Sequence, residues 1–431
     1  MQIYQPYQLS SLDYKWDCNN PKKRKENVLK NAINTVLFSK KCIPFYINHY
    51  KNISENKIEK INTLEEFTIK LPHVTKEHIS YNPHQVFMPD RQLIHKYFGK
   101  KGVEELYELC KIKGIDRNYG TGGTTGKPTT IIHTSTDWRA MKNTFLRSLM
   151  FDFQDNLNDI KNLTAYGLYH GDHITNKIWE SALTSLNINM YGRASTKSSA
   201  EHNYELIQEI KPNILIGPSE DSSGKQTKGI TLDTILKLDA RNPNSKWPLN
   251  HKENPDFKMI LWSSMPMSKE LSNYILNHLE IPYMHAHYGN TEVGSVSVSC
   301  LKYPLNFHLC YGSNIALIKT EKNDRLTKIN EKGVISFSKI SGETKENKLI
   351  VPSGMTLINY LPGNFASIIK KDGIECKCSN QKLKRNTEII MLHGRDNEIK
   401  EKPKMKNEKN GYLKYNEIVE NGKNIHGCQV D

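Results

Sequence analysis

The chain is 431 residues long, with 37% hydrophobic and 25% charged residues and a formal net charge of +14 at pH 7. That length exceeds what one small core needs, and the composition is that of a folded globular protein rather than a disordered one. No apolar run approaches the roughly eighteen residues of a membrane span, and the opening "MQIYQPYQLSSLDYKW" lacks the layout of a secretory signal, so the expectation is a cytoplasmic protein without membrane insertion.

The positive charge invites a nucleic-acid partner. However, the basic residues are mostly lysines spread along the chain, with no basic stripe interleaved with aromatics. No nucleic-acid partner is expected, although polyanionic small molecules such as ATP or coenzyme A suit the charge. The cluster "KKRK" at Lys22 to Lys25 reads as a solvated surface.

Residues 1 to about 110 read as mostly helical, through "KENVLKNAINTVLFSKKCIPFYINHY" and "INTLEEFTIKLPHVTKEHIS". From about 118 the texture changes to short apolar runs separated by glycines and helical stretches. "PTTIIHTS" and "KMILWSS" predict buried strands, and "SKELSNYILNHL" predicts a helix capped by Ser268. Alternating strands and helices predict an α/β layered fold. From about 305 short strands dominate, as in "KGVISFSKI" and "NFASIIKKDGIECKC", and a lysine-rich stretch after Arg395 reads as a hinge or linker. The expected division is a large domain with a β-rich subdomain over 1–392 and a shortened C-terminal subdomain or tail over 393–431.

The stretch "NYGTGGTTGKPTT" at 118–130 admits three readings: a linker, a Walker P-loop, or another phosphate cradle. A Walker loop needs glycine five places before its Gly-Lys pair and Ser or Thr after the lysine; here those positions are Thr121 and Pro128. The phosphate chemistry survives. Gly122, Gly123 and Gly126 allow backbone N–H groups to converge, Thr124 and Thr125 offer hydroxyls, and Lys127 offers charge. About 160 residues on, "HAHYGNTEVGSV" places Tyr288, Gly289, Thr291 and Glu292 at a strand end. There a carboxylate can hold Mg²⁺, a hydroxyl can meet phosphate and a ring can stack on a base.

With the Gly-Arg pair of "HGRDNEIK" these segments resemble the adenylate-forming superfamily of acyl-CoA synthetases and adenylation domains, and look closest to its phenylacetate–CoA ligase-like branch. "LPHVTKEHI", "KPNILIGPS" and "WSSMPMSKEL" are similar to further phrases of that branch. The resemblance implies that Thr121, Gly123, Thr124, Thr125, Gly126 and Lys127 hold the phosphates of ATP. It implies that Glu292, with Thr291 beside it, binds Mg²⁺, that Ser264, Met265 and Pro266 line adenine with Tyr288 and Gly289, and that Arg395 reaches ribose or phosphate at the hinge. The implied reaction is attack of a small carboxylic acid on the α-phosphorus of ATP, followed by transfer of the acyl group to the thiol of coenzyme A or a carrier protein. Three departures stand out. Asn364 occupies the place of the family's ribose-gripping Asp, Asn359 that of a preceding Arg, and the segment after Arg395 is shorter than the family's small domain, with no clear counterpart of its distal lysine. A catalytically impaired nucleotide-binding homologue is therefore an alternative.

Cys300, His308, Cys376 and Cys378 form a Cys₃His set of the kind that holds structural zinc, with Cys310 as a competing ligand and unrelated core thiols as the plain alternative. The ending "NIHGCQVD" resembles the Gly-Cys tail of acyl-protein synthetases, which implies acyl transfer through Cys428 as another alternative. His170, His285 and His287, with the abundant tyrosines, hint at a polar or aryl acid or, equally, are ordinary surface or hydrogen-bonded core residues.

Overall fold

The computed structural model describes residues 18, 20–79, 87–104, 115–120, 130–153, 160, 162–169, 173–192, 199–219, 230–263, 267–312, 314–321, 325–340, 355–376 and 384–395. The chain begins with helices α1 (Pro21–Cys42), α2 (Pro44–His49), α3 (Glu55–Glu59) and α4 (Leu64–Lys70). Strand β1 (Val74–Thr75), α5 (Lys76–Ile79) and α6 (Arg91–Gly102) follow. A ribbon of β2 (Ile115–Gly120) and β3 (Thr130–Thr134) leads into the long helix α7 (Ser135–Phe153). Then come β4 (Thr164–Gly167), α8 (Ile174–Thr184), β5 (Asn189–Tyr191), α9 (Ala200–Ile210), β6 (Ile214–Gly217), α10 (Leu232–Ala240) and β7 (Met259–Ser263). Helix α11 (Lys269–Asn273) runs into a π-helical turn, Tyr274–His278. The remainder is strands: β8 (Tyr283–Asn290), β9 (Gly294–Ser299), β10 (Asn306–Leu309), β11 (Asn314–Lys319), β12 (Lys332–Lys339), β13 (Tyr360–Leu361), β14 (Asn364–Lys370) and β15 (Ile389–Arg395).

Helix starts follow the capping chemistry of the sequence. Asn20, Thr63, Asp90, Ser199, Thr231 and Ser268 each accept a hydrogen bond from an otherwise unpaired backbone N–H of the first turn. The chain divides into two compact units. The smaller, 162–171 with 189–284, carries parallel strands in the order β7-β6-β4-β5. β6 and β7 are buried along their whole length, as parallel strands covered on both faces must be. In this unit the Tyr169 hydroxyl meets the Ser263 hydroxyl at 2.9 Å and accepts from the Ser263 N–H at 3.0 Å, which fixes the end of β7.

The larger unit, 1–161 with 172–188 and 285–396, holds α1–α8, β1–β3 and most of β8 through to β15, with strand order β1-β13-β12-β14-β15-β10-β9-β8 and β11 added on β12. All of these pairs are antiparallel except β1 with β13. Within the predicted strand "PTTIIHTS", Thr130–Thr134 forms β3, as half of the separate β2–β3 ribbon rather than within the large sheet.

The reading of "KKRK" as a solvated surface is corrected at Arg24. That residue is fully buried, paired with Asp372 and donating to Asn386 Oδ1 at 3.1 Å. A buried guanidinium needs such partners, and these two pin α1 onto the connection between β14 and β15. Asn359 is likewise structural. Its φ of 51° is left-handed, a conformation asparagine tolerates. Its buried Nδ2 donates to the carbonyls of Phe67, Thr68 and Leu71 at the C-terminal end of α4. Replacing Asn359 with Ala should cost about 3 kcal/mol, from orphaned carbonyls and backbone strain together, read as a lower urea midpoint at unchanged slope.

Candidate active site

Strand β8 ends in the turn that carries Tyr288, Gly289, Thr291 and Glu292. Asn290 Oδ1 accepts from the Val293 N–H at 2.7 Å and closes the turn, and Asn290 pairs with Gly294 as β9 begins. The register shifts between Tyr288 and Gly289, so the strand bulges there. A Cβ on Gly289 would lie 2.1 Å from the Gly294 carbonyl oxygen, so only glycine fits. Glu292 is buried, and one carboxylate oxygen accepts the Tyr360 hydroxyl at 2.9 Å. The Tyr288 side chain is partly buried, and its ring stands 6.1 Å from the ring of Phe307.

The Thr291 carbonyl accepts from His133 Nε2 at 2.7 Å. His133 lies in β3, the strand that follows the glycine–threonine loop in the sequence, so that strand and the turn meet here. Burial, reinforced by the nearby Lys339 ammonium, pushes the His133 imidazole down to about 4. The ring is therefore neutral at physiological pH, with its proton on Nε2 to serve the carbonyl.

One stripe of α7 organises the ground behind the turn. Its residues recur every three or four positions, which places them on a single helix face. Asp137 pairs with the buried Lys339 ammonium at 2.8 Å. Met141 lies where a Cβ on Gly294 would meet it, at 2.8 Å. The Phe145 ring stacks on His287 with centroids 3.7 Å apart and planes within 3°. The Ser148 hydroxyl lies 2.9 Å from His287 Nε2 and 3.1 Å from His285 Nε2. Asp152 Oδ2 lies 2.7 Å from His285 Nδ1, and Asp152 Oδ1 accepts from Arg385 Nη1 at 2.6 Å. Burial alone would raise the Asp152 carboxyl, but Arg385 and His285 hold it below the usual carboxylate range. Burial, aided by His285, Arg385 and Arg147, drives His287 well below the ordinary histidine value. His285 and His287 are thus hydrogen-bonded core residues, the second of the two readings offered for them.

Asn364 opens β14 directly after Gly363, whose φ is 85°. It is the register partner of Arg395 at the end of β15, so these two expected site positions meet across adjacent strands. Asn364 Oδ1 is buried and has no hydrogen-bond partner among the described residues. Cys300, His308 and Cys376 also come together, with their ligand atoms all within 4.8 Å of one another. Cys310 is not part of that group; its sulfur meets the His308 carbonyl oxygen at 3.8 Å. Thr121, Gly122, Gly123, Thr124, Thr125, Gly126, Lys127, His170, Ser264, Met265, Pro266, Cys378 and Cys428 lie outside the described residues, as does everything after Arg395.

Tyr360, His133, Asp137, Lys339, Asp152 and Arg385 were not singled out by the sequence motifs. The recurrence of Asp137, Met141, Phe145, Ser148 and Asp152 at helical spacing was the one available signal, since polar groups on the buried face of a helix need partners.

No protein-family model matches the chain, and a search of curated proteins finds no match. Among solved structures it is similar to 2-hydroxyisobutyryl-CoA ligase in complex with 2-HIB-AMP and CoA in the thioesterification state. That match has a TM-score of 0.60 at 13% identity and covers 87% of this chain and 68% of the ligase. An open conformation of the same ligase with the same ligands matches at a TM-score of 0.60 and 13% identity, covering 87% of this chain and 75% of the ligase. The chain thus has the α/β fold of adenylate-forming enzymes, as the sequence motifs led one to expect.

The buried histidines predict acid sensitivity. His133 is neutral when folded and takes up a proton below about 6.5 when unfolded, so stability falls as pH drops from 6.5 toward 4. For His133 alone the loss should reach about 2 kcal/mol by pH 5, with His287 adding in the same direction. Urea unfolding at pH 7 and pH 5 measures this, and His133→Gln should flatten the dependence by His133's share.

Proposed function

We propose that this chain activates a carboxylic acid as its acyl-adenylate at the expense of ATP and passes the acyl group to a thiol. The observation that carries the proposal is the tie between Thr291, in the Tyr-Gly-x-Thr-Glu turn, and His133, in the strand leaving the glycine–threonine loop, within an adenylate-forming fold. The solved ligase with this fold was captured with an acyl-AMP and CoA, which makes coenzyme A the first acceptor to try.

In this reading Thr121, Gly123, Thr124, Thr125, Gly126 and Lys127 cradle the phosphates, and Lys127 offsets the charge that builds as pyrophosphate leaves. Tyr288 stacks on the adenine beside Gly289. The donor set suits a hard divalent cation: Tyr360 occupies one oxygen of the Glu292 carboxylate, and no hydrogen bond among the described residues engages the other. Mg²⁺ held there would screen the phosphate oxygens. Asn364 Oδ1 accepts from a ribose hydroxyl, a role that agrees with its being buried without a hydrogen-bond partner among the described residues, and Arg395, its register partner, supplies a cation for the ribose or phosphate. The chain's own contribution is to hold acid and ATP in line and to neutralise charge, which is where such reactions gain most of their rate.

Pyrophosphate exchange against a panel of carboxylic acids tests the proposal, with acyl-thioester formation scored in the presence and absence of coenzyme A. Exchange should appear for at least one acid and fall by about 10²-fold in Lys127→Ala and in Glu292→Gln. Exchange that survives Lys127→Ala would remove the loop from the mechanism, and no exchange with any acid would favour a nucleotide-binding homologue. A charged acceptor makes a stronger hydrogen bond to a hydroxyl than a neutral amide does. Asn364→Asp should accordingly lower KM for ATP a few-fold with kcat little changed.

A further inference from the structure

The adenylation reading leaves Cys300, His308 and Cys376 without a role. They come from three separate stretches of the larger unit. Cys300 directly follows β9, and its N–H donates to the Asn306 carbonyl at 2.7 Å. His308 lies in β10, opposite Val298 on one side and Ile389 on the other. Cys376 lies between β14 and β15, with its N–H donating to the Arg385 carbonyl at 2.7 Å. Their exposures are 0%, 0% and 6%, and Ile369 and Ile389 pack against the two sulfurs' residues.

The geometry distinguishes three states of the thiol pair. The sulfurs of Cys300 and Cys376 are 3.8 Å apart. A disulfide would bring them to about 2.05 Å. Two thiolates at about 2.3 Å from one zinc ion, subtending a tetrahedral angle, stand about 3.8 Å apart. Unrelated core thiols have no reason to share that spacing with a buried imidazole whose ligand nitrogen lies within 4.8 Å of both. Two sulfurs and an imidazole form a soft donor set that favours zinc over magnesium or calcium.

We propose that Cys300, His308 and Cys376 bind one zinc ion in a structural role. On binding, each thiol releases its proton to solvent as its S–Zn bond forms, and the neutral imidazole donates a nitrogen lone pair. The ion ties the β9–β10 hairpin to the connection between β14 and β15. That connection carries Arg385, which reaches Asp152, and Asp152 in turn holds His285 on β8. Zinc thereby fixes the segment that anchors the polar network behind the Tyr288–Glu292 turn.

The test uses the full chain, purified under reducing conditions without added metal, and reads metal content rather than activity, so it succeeds or fails independently of the adenylation proposal. Elemental analysis should find one zinc per chain. Cys300→Ser and Cys376→Ser should each lower it by about tenfold or more, while Cys310→Ser retains it. Because the ligand variants could misfold, wild-type protein stripped with a chelator under reductant supplies a second measurement. Titration with Co²⁺ should give the strong visible bands of tetrahedral cobalt and a sulfur-to-cobalt charge-transfer band, and zinc should displace both. Stripping should also lower Tm, with recovery on adding zinc back. Wild-type protein that binds neither zinc nor cobalt when reduced overturns the proposal, and so does a Cys300–Cys376 disulfide in the protein as isolated.

Discussion

The Asp152 carboxylate is the constraint on which the larger unit depends. Moving a carboxylate out of water costs several kcal/mol unless partners meet it with good geometry. Here Arg385 and His285 take one oxygen each, at 2.6 and 2.7 Å. The three groups come from the end of α7, from β8 and from the segment before β15, far apart in sequence. Losing any one would strand a charge or a polar group in the interior, so the arrangement selects a single packing of helix, strand and connection. Hydrophobic contact alone is less selective, because apolar surfaces tolerate sliding.

From Asp152 the same helix face carries the constraint toward the turn. Ser148 bridges His285 and His287, Phe145 covers His287, Met141 closes on Gly294 and Asp137 neutralises Lys339. Each contact fixes β8, β9 or β12 relative to α7. Helix α7 itself follows directly from β3, whose His133 holds the Thr291 carbonyl. The turn is therefore held by β3 on one side and by the α7 stripe behind it. The bulge at Gly289 and the Tyr360–Glu292 hydrogen bond then set where the carboxylate sits. Preorganisation of this kind suits a reaction that depends on holding charges still rather than on a reactive side chain.

The connection between β14 and β15 plays a comparable part. It receives Arg24 from α1 at Asp372 and Asn386, gives Arg385 to Asp152 and brings Cys376 to Cys300 and His308. This segment, whose described residues carry no helix or strand, is thus held by ion pairs, backbone hydrogen bonds and clustered ligand atoms. It leads straight into β15, where Arg395 stands opposite Asn364.

The sequence by itself determined the elements that local chemistry governs. Ser268 announced its helix, the apolar runs "MILWS" and "GVISFSK" announced strands, and the glycine–threonine loop and Tyr-Gly-x-Thr-Glu turn are legible because they set particular residue types at fixed spacing. Cys300, His308 and Cys376 were legible for the same reason. Only the tertiary structure decided which distant groups meet. Arg24 is buried because Asp372 and Asn386, nearly 350 positions or more away, come to it. Asn359 is structural because the end of α4 presents three carbonyls to it, and Asn364 with Arg395 becomes a pair only through the β14–β15 register. Polar side chains carry no mark of burial in sequence, since the free energy of burying them depends on partners that only the folded chain supplies.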